Sequence, residues 1–116
     1  MSQSGEISAF LGPDTQFDGK LVFDGVVRLE GEFKGHVYGR DTLIIAEGAN
    51  VNAIIEADTI VVEGMLSGEI VAHSKIFVKQ GGHVKGSVKS PSIKIDEGGV
   101  VEGSTRMLDE EFIFTS

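Results

Sequence analysis

The side chains best suited to chemistry in this chain are three histidines, His36, His73 and His83, and four carboxylates that each precede a glycine, Glu30, Glu47, Glu63 and Glu97. Histidine with carboxylate can hold a metal ion or move protons, and a stack of carboxylates can hold a hard divalent cation. The spacing favours neither. The histidines occupy different positions of a repeat and converge on no shared site. Gln80 interrupts the carboxylate series, whose plainer role is to solvate a turn. His73 falls into a column with Asp24, Arg40 and Asp58, where the charge alternates in sign, as in a surface ladder whose pairs are each worth little. The Gly-Gly-x-Gly-x-Asp calcium repeat is absent, and no nucleophile elbow or phosphate loop accompanies the serines. No catalytic residue, metal ligand or cofactor is assigned, and the chain reads as a non-enzyme.

Those side chains ride on a short repeat. The pattern apolar-x-[Gly/Ala]-x-apolar occurs as Phe17-x-Gly19-x-Leu21, Phe33-x-Gly35-x-Val37 and Val51-x-Ala53-x-Ile55. It continues as Leu66-x-Gly68-x-Ile70, Val84-x-Gly86-x-Val88 and, weakened, Val101-x-Gly103-x-Thr105. A second pattern, apolar-x-apolar, precedes most of these: Val27/Leu29, Leu43/Ile45, Ile60/Val62, Ile76/Val78 and Ile93/Ile95, stepping by 16, 17, 16 and 17 residues. Between the patterns lies a turn of three or five residues, with Gly31, Gly48, Gly64, Gly81 and Gly98 in comparable places. A mostly small corner column follows: Phe23, Gly39, Ala57, Ala72, Ser90 and Met107.

Period-two alternation turns every second residue inward. Units this short cannot bury an apolar face alone and must stack. The expected fold is all-β: a single-domain parallel β-helix over residues 15–107, with about six rungs of roughly 17 residues and three short sides each. It lies between an N-terminal tail or cap (1–14) and a C-terminal tail (108–116). Rungs about 4.8 Å apart would stack like residue on like.

Composition narrows the function. At 116 residues without cysteine, the chain has neither a disulfide framework nor a cysteine metal site. A formal charge of −8 opposes nucleic acid, which needs a basic footprint, and opposes electrostatic docking on an anionic membrane. No basic n-region or long apolar run marks a signal peptide or spanning helix. A cytoplasmic setting is expected.

Stacked rungs end in unpaired backbone groups, which can template another chain. Phe17 and Leu21 at one end, and Val100, Val101 and Phe112 at the other, are the candidate polymerisation contacts. One outward column, Arg28, Ile44, Val61, Phe77 and Lys94, is charged at both ends and apolar between them. Ile44, Val61 and Phe77 are therefore a candidate lateral or partner stripe. Ile7, Phe10 and Leu11 are a candidate membrane contact, weak alone beside Glu6 but strengthened by polymerisation.

The chain resembles the bactofilins. The likeness is carried by Ile7-Ser8-Ala9-Phe10-Leu11-Gly12, Gly19-Lys20-Leu21-Val22-Phe23-Asp24-Gly25, and Val27-Arg28-Leu29-Glu30-Gly31-Glu32-Phe33-Lys34-Gly35. Thr42-Leu43-Ile44-Ile45, Ser90-Pro91-Ser92-Ile93 and Glu97-Gly98-Gly99-Val100-Val101-Glu102-Gly103 extend it to residues 7–107. The resemblance implies a right-handed β-helix that polymerises end to end without nucleotide. It also implies a bacterial cytoskeletal scaffold, often membrane-associated at the inner face, that supports cell shape or positions cell-wall and polarity machinery. Two alternatives are a hexapeptide-type β-helical acyltransferase fragment and a β-helical ligand-binding module. The first expects a strict six-residue period, and the second an aromatic groove that one Tyr and no Trp supply poorly.

Overall fold

The computed structural model describes the backbone of residues 7–11 and 16–107, and the side chains of residue 16 and of 18–103. The strands are β1 (Ile7–Leu11), β2 (Gln16–Leu29), β3 (Glu32–Ile45), β4 (Asn50–Val62), β5 (Met65–Val78), β6 (His83–Ser90), β7 (Ile93–Ile95) and β8 (Val100–Met107). They form one sheet in the order β1-β2-β3-β4-β5-β6-β8, with β7 on β5, and every pairing is parallel. Each rung lies on its predecessor, so the chain is a β-solenoid. One register column runs Phe17, Phe33, Val51, Leu66, Val84, Val101, which is six stacked positions and five full turns between them.

The inward columns are those the repeat predicts. Val27, Leu43, Ile60, Ile76 and Ile93 stack in one, and Leu29, Ile45, Val62, Val78 and Ile95 in the next, all buried. Val37, Ile55, Ile70 and Val88 make another, with Leu21 packed against it from above. Each such side chain contributes about 1.5–3 kcal/mol by leaving water.

The sides differ from expectation. Strands β2 to β5 run 13 or 14 residues without interruption, so the rungs bend rather than break. A parallel ladder survives a corner when every rung bends at the same register, because the inter-rung hydrogen bonds bend together. Gly68 shows how (φ +124°): a Cβ there would lie 2.1 Å from the Ala53 carbonyl oxygen of the preceding rung. Gly68→Ala is therefore expected to destabilise the chain by about 2–3 kcal/mol. The reverse change one rung up, Ala53→Gly, should cost no more than about 1 kcal/mol. Urea midpoints of the two variants check this.

The turn glycines do not stack as the spacing suggests. Hydrogen bonds from Asn50, Met65, His83 and Val100 N–H to the carbonyls of Gly31, Ala49, Gly64 and Gly82 align Gly31, Ala49, Gly64 and Gly82. Gly48 and Gly81 are each one residue earlier. The longer turns are tight four-residue turns, closed by Ala49 N–H to Ala46 O (3.0 Å), Gly82 N–H to Lys79 O (2.8 Å) and Gly99 N–H to Asp96 O (2.9 Å). Their third residue has positive φ, as at Gly81 (+89°), the geometry of a type II turn. The extra residues are absorbed before the shared column, so counting glycines forward from the previous strand misaligns them.

Rung length also varies at the far corner. Between register pairs Tyr38↔Glu56 and Thr42↔Thr59, β3 has three residues and β4 only Ala57 and Asp58. The ladder slips there, and the Asp58 carboxylate accepts a hydrogen bond from the Asp41 N–H at 3.1 Å, in place of a backbone partner. Asp41 is the one non-glycine with positive φ (+91°) among the described residues.

Candidate functional site

Among the described residues, both ends of the solenoid carry a one-sided ladder. At the first end β1 covers only Val26–Leu29 of β2, and no strand pairs with the outer side of Gln16–Gly25. At the second end β7 pairs only β5 and β8 pairs only β6. The candidate contact residues are the terminal members of the columns. Phe17 heads the column that Val101 closes, and Leu21 heads the next. Leu21 and Val101 are partly buried and pack against the core. Val100 points outward and is 40% exposed. The Phe17 side chain and all of Phe112 lie outside the described residues, as do the side chains of Ile7, Phe10 and Leu11.

The stripe is a single register column, Phe10, Arg28, Ile44, Val61, Phe77, Lys94. Ile44, Val61 and Phe77 are half-buried by their neighbours. Lys94 Nζ stands 5.1 Å and Lys79 Nζ 5.6 Å from the Phe77 ring centroid, so cations cap the stripe at its lower end. Arg28 at its upper end is held by Glu30 at 2.7 Å.

The residues considered for chemistry divide among separate places. Asp24, Arg40, Asp58 and His73 do come together, lining a surface groove of about 610 Å³ with Val22, Tyr38 and Glu56. His73 Nε2 meets Glu56 Oε2 at 2.7 Å. Among the described residues, the groove's lining carries no serine, threonine or cysteine. His36 stacks on Tyr38 and His83 reaches Glu102 at 3.3 Å. In the carboxylate series, Glu63 approaches Lys79 at 3.7 Å and Glu30 is held by Arg28. These two carboxylates each face a cation of the protein's own.

The spacing missed two fittings at the corner column. The Phe23 ring fills the notch above Gly39, where a Cβ would lie 2.0 Å from its Cζ. The large residue of one rung uses the space the next leaves empty. Ser90 is fully buried, its Oγ donating to the Ser92 carbonyl at 2.8 Å and accepting from the Ser92 N–H at 3.3 Å. That local bond satisfies a hydroxyl which would otherwise cost stability, and closes the corner where Pro91 interrupts the strand. The Ser90-Pro91-Ser92 triplet was the available signal.

A stack of parallel rungs around an apolar core, with a one-sided ladder at each end among the described residues, defines a class of protein: a β-solenoid whose end rungs can accept further strands. A family model described as bactofilin, polymer-forming cytoskeletal, matches residues 9–106. The chain belongs to the bactofilin family, and is thus a member of a polymer-forming, cytoskeletal group. It is 29% identical over 97 residues to bactofilin BacO of Myxococcus xanthus (strain DK1622), covering 84% of this chain and 77% of that one. It is 26% identical over 101 residues to bactofilin BacP of the same organism, covering 87% of this chain and 42% of BacP. No solved structure matches. Neither alternative reading, acyltransferase fragment or ligand-binding module, is supported by these matches.

Proposed function

We propose that this chain is a non-enzymatic scaffold that joins end to end into filaments without nucleotide. Phe17 and Leu21 form one contact surface, and Val100 and Val101, with Phe112, form the other. The observation that carries this reading is the one-sided ladder at both ends: β2 over Gln16–Gly25, and β7 with β8, among the described residues. Unpaired strand groups beside an apolar core favour another strand over water, and the chain's own rungs are the best-matched supply. Membership of a polymer-forming family supports the same reading.

The filament would lie in the cytoplasm and serve cell shape or the placement of cell-envelope and polarity proteins. Ile44, Val61 and Phe77 would offer those proteins a partner surface. No helix among the described residues is long and apolar enough to cross a membrane. Association with the inner membrane would instead fall to Ile7, Phe10 and Leu11, multiplied along a polymer.

Electron microscopy of the purified chain in nucleotide-free buffer tests the proposal. Filaments with a longitudinal repeat of about 4.8 Å are expected. Monodisperse particles at every concentration would overturn it.

A further inference from the structure

One concave feature stands apart from the solenoid ends and from the apolar stripe. The groove of about 610 Å³ lies at the corner of β2, β3 and β4 and reaches His73 on β5. Its walls follow the register. Val22, Tyr38 and Glu56 stack along one wall; Asp24 and Arg40 stack along the other, with Asp58 one rung on. Phe23, facing inward between Val22 and Asp24, is an apolar floor.

The lining is mixed in charge and polarity. Three carboxylates, Asp24, Glu56 and Asp58, stand against one guanidinium, Arg40. Arg40 is exposed, sits on the rung between Asp24 and Asp58, and has no carboxylate within ion-pair distance among the described residues. Val22 is 59% exposed, more than any other large apolar side chain among the described residues.

We infer that the groove holds an extended peptide segment of a partner protein, one that carries an apolar and a basic side chain two residues apart. This deepens the scaffold reading above by naming a second partner surface. A bare cation, metal ion or polyamine, meets the Arg40 charge midway along the carboxylates. A phosphate meets three carboxylates, and a planar anionic membrane cannot enter a concave corner. A peptide answers every part of the lining. Its backbone carbonyls accept from Arg40, its basic side chain reaches Glu56 or Asp58, and its apolar side chain covers Val22. The segment comes from another protein, because residues 1–15 and 108–116 of this chain contain no lysine or arginine. The strands of a second copy are already paired along its rungs.

The lengths agree. From β2 to β4 is two rung spacings, about 10 Å, and an extended chain rises about 3.3 Å per residue. Two residues plus the stem of a lysine or arginine therefore reach from Val22 to Asp58. Exposed charge pairs are each worth under about 1 kcal/mol, so one groove holds its segment weakly. Repetition of the groove along a polymer would strengthen the capture of a clustered partner.

Fluorescence anisotropy tests this with a fluorescein-labelled glycine–serine peptide in which leucine and arginine recur two residues apart. Saturable binding to the unmodified chain is expected. Asp24→Lys with Glu56→Lys should weaken it at least tenfold, and Val22→Ser at least threefold. Glu32→Lys with Glu47→Lys makes the same change in net charge at exposed positions outside the groove, and should leave the affinity within twofold. Absence of binding overturns the inference. Equal weakening by the two lysine pairs also overturns it, since general charge would then explain the binding. So does equal affinity for a peptide with glutamate in place of arginine, or displacement of the probe by spermidine at matched charge, which would assign the groove to a bare polycation. The groove lies within one subunit, so these readings hold for monomers and filaments alike. A chain that binds the peptide with this pattern but never forms filaments would sink the filament reading and leave this inference standing.

Discussion

Val101→Arg should abolish filaments while leaving a folded subunit. Val101 closes the column Phe17, Phe33, Val51, Leu66, Val84, and it is only partly buried, with no strand beneath β8 among the described residues. In the free subunit an arginine there can lay its aliphatic stem on the core edge and keep its guanidinium in water, so circular dichroism and the urea midpoint should change little. In an end-to-end contact the same guanidinium would be covered without a partner. An uncompensated buried charge costs on the order of 3 kcal/mol or more, roughly a hundredfold or greater weakening per contact. A linear polymer multiplies that loss over every joint. Sedimentation velocity should show monomers at concentrations where the unmodified chain forms filaments. Filaments of ordinary length would remove Val101 from the interface.

Val62→Asp should prevent folding outright. Val62 has no exposed surface and sits mid-column between Ile45 and Val78. A carboxylate there has no route to water and no cation in the core cluster, whose members are all apolar. Burying it costs several kcal/mol, comparable with the total stability of a small domain. The informative control is the adjacent Val61→Asp. Strand residues alternate faces, so Val61 belongs to the outward stripe, and its change should cost no more than about 1.5 kcal/mol. Far-ultraviolet circular dichroism of the pair separates the two cases. Equal behaviour of the two variants would contradict the assigned facing of β4.

The contrast between Val61 and Val62 is legible in the residue pattern alone, because stacking like on like repeats the same alternation in five successive rungs. A face assigned wrongly in one rung would conflict with its neighbours. How the rungs join is not legible in that way. The turn column runs Gly31, Ala49, Gly64, Gly82 rather than through Gly48 and Gly81, because hydrogen bonds count from the strand that follows while the eye counts from the strand before. The three short sides are in fact long strands that bend, since a corner leaves no mark in alternation if the ladder continues through it. The slip at Asp41 and Asp58 is hidden for the opposite reason: a side chain replaces one backbone acceptor, and nothing in residue type announces that exchange. Phe23 is out of place in a column of small residues until the notch at Gly39 beneath it is taken into account. For the candidate site, Val101 and Leu21 are readable as column ends.

Among the described residues, no register pair joins positions more than 19 apart, and each strand touches chiefly the one before and the one after. Such a chain behaves as a one-dimensional array, with stability summed from rungs and their nearest-neighbour couplings. Interior rungs have two neighbours and terminal rungs one, so opening fluctuations begin at the ends and become rarer toward β4. In the end-to-end filament proposed above, the surfaces that would accept another subunit are then the least protected part of the described solenoid. Each such joint would convert two terminal rungs into interior ones, and growth would anneal the very segments that fray in the free subunit.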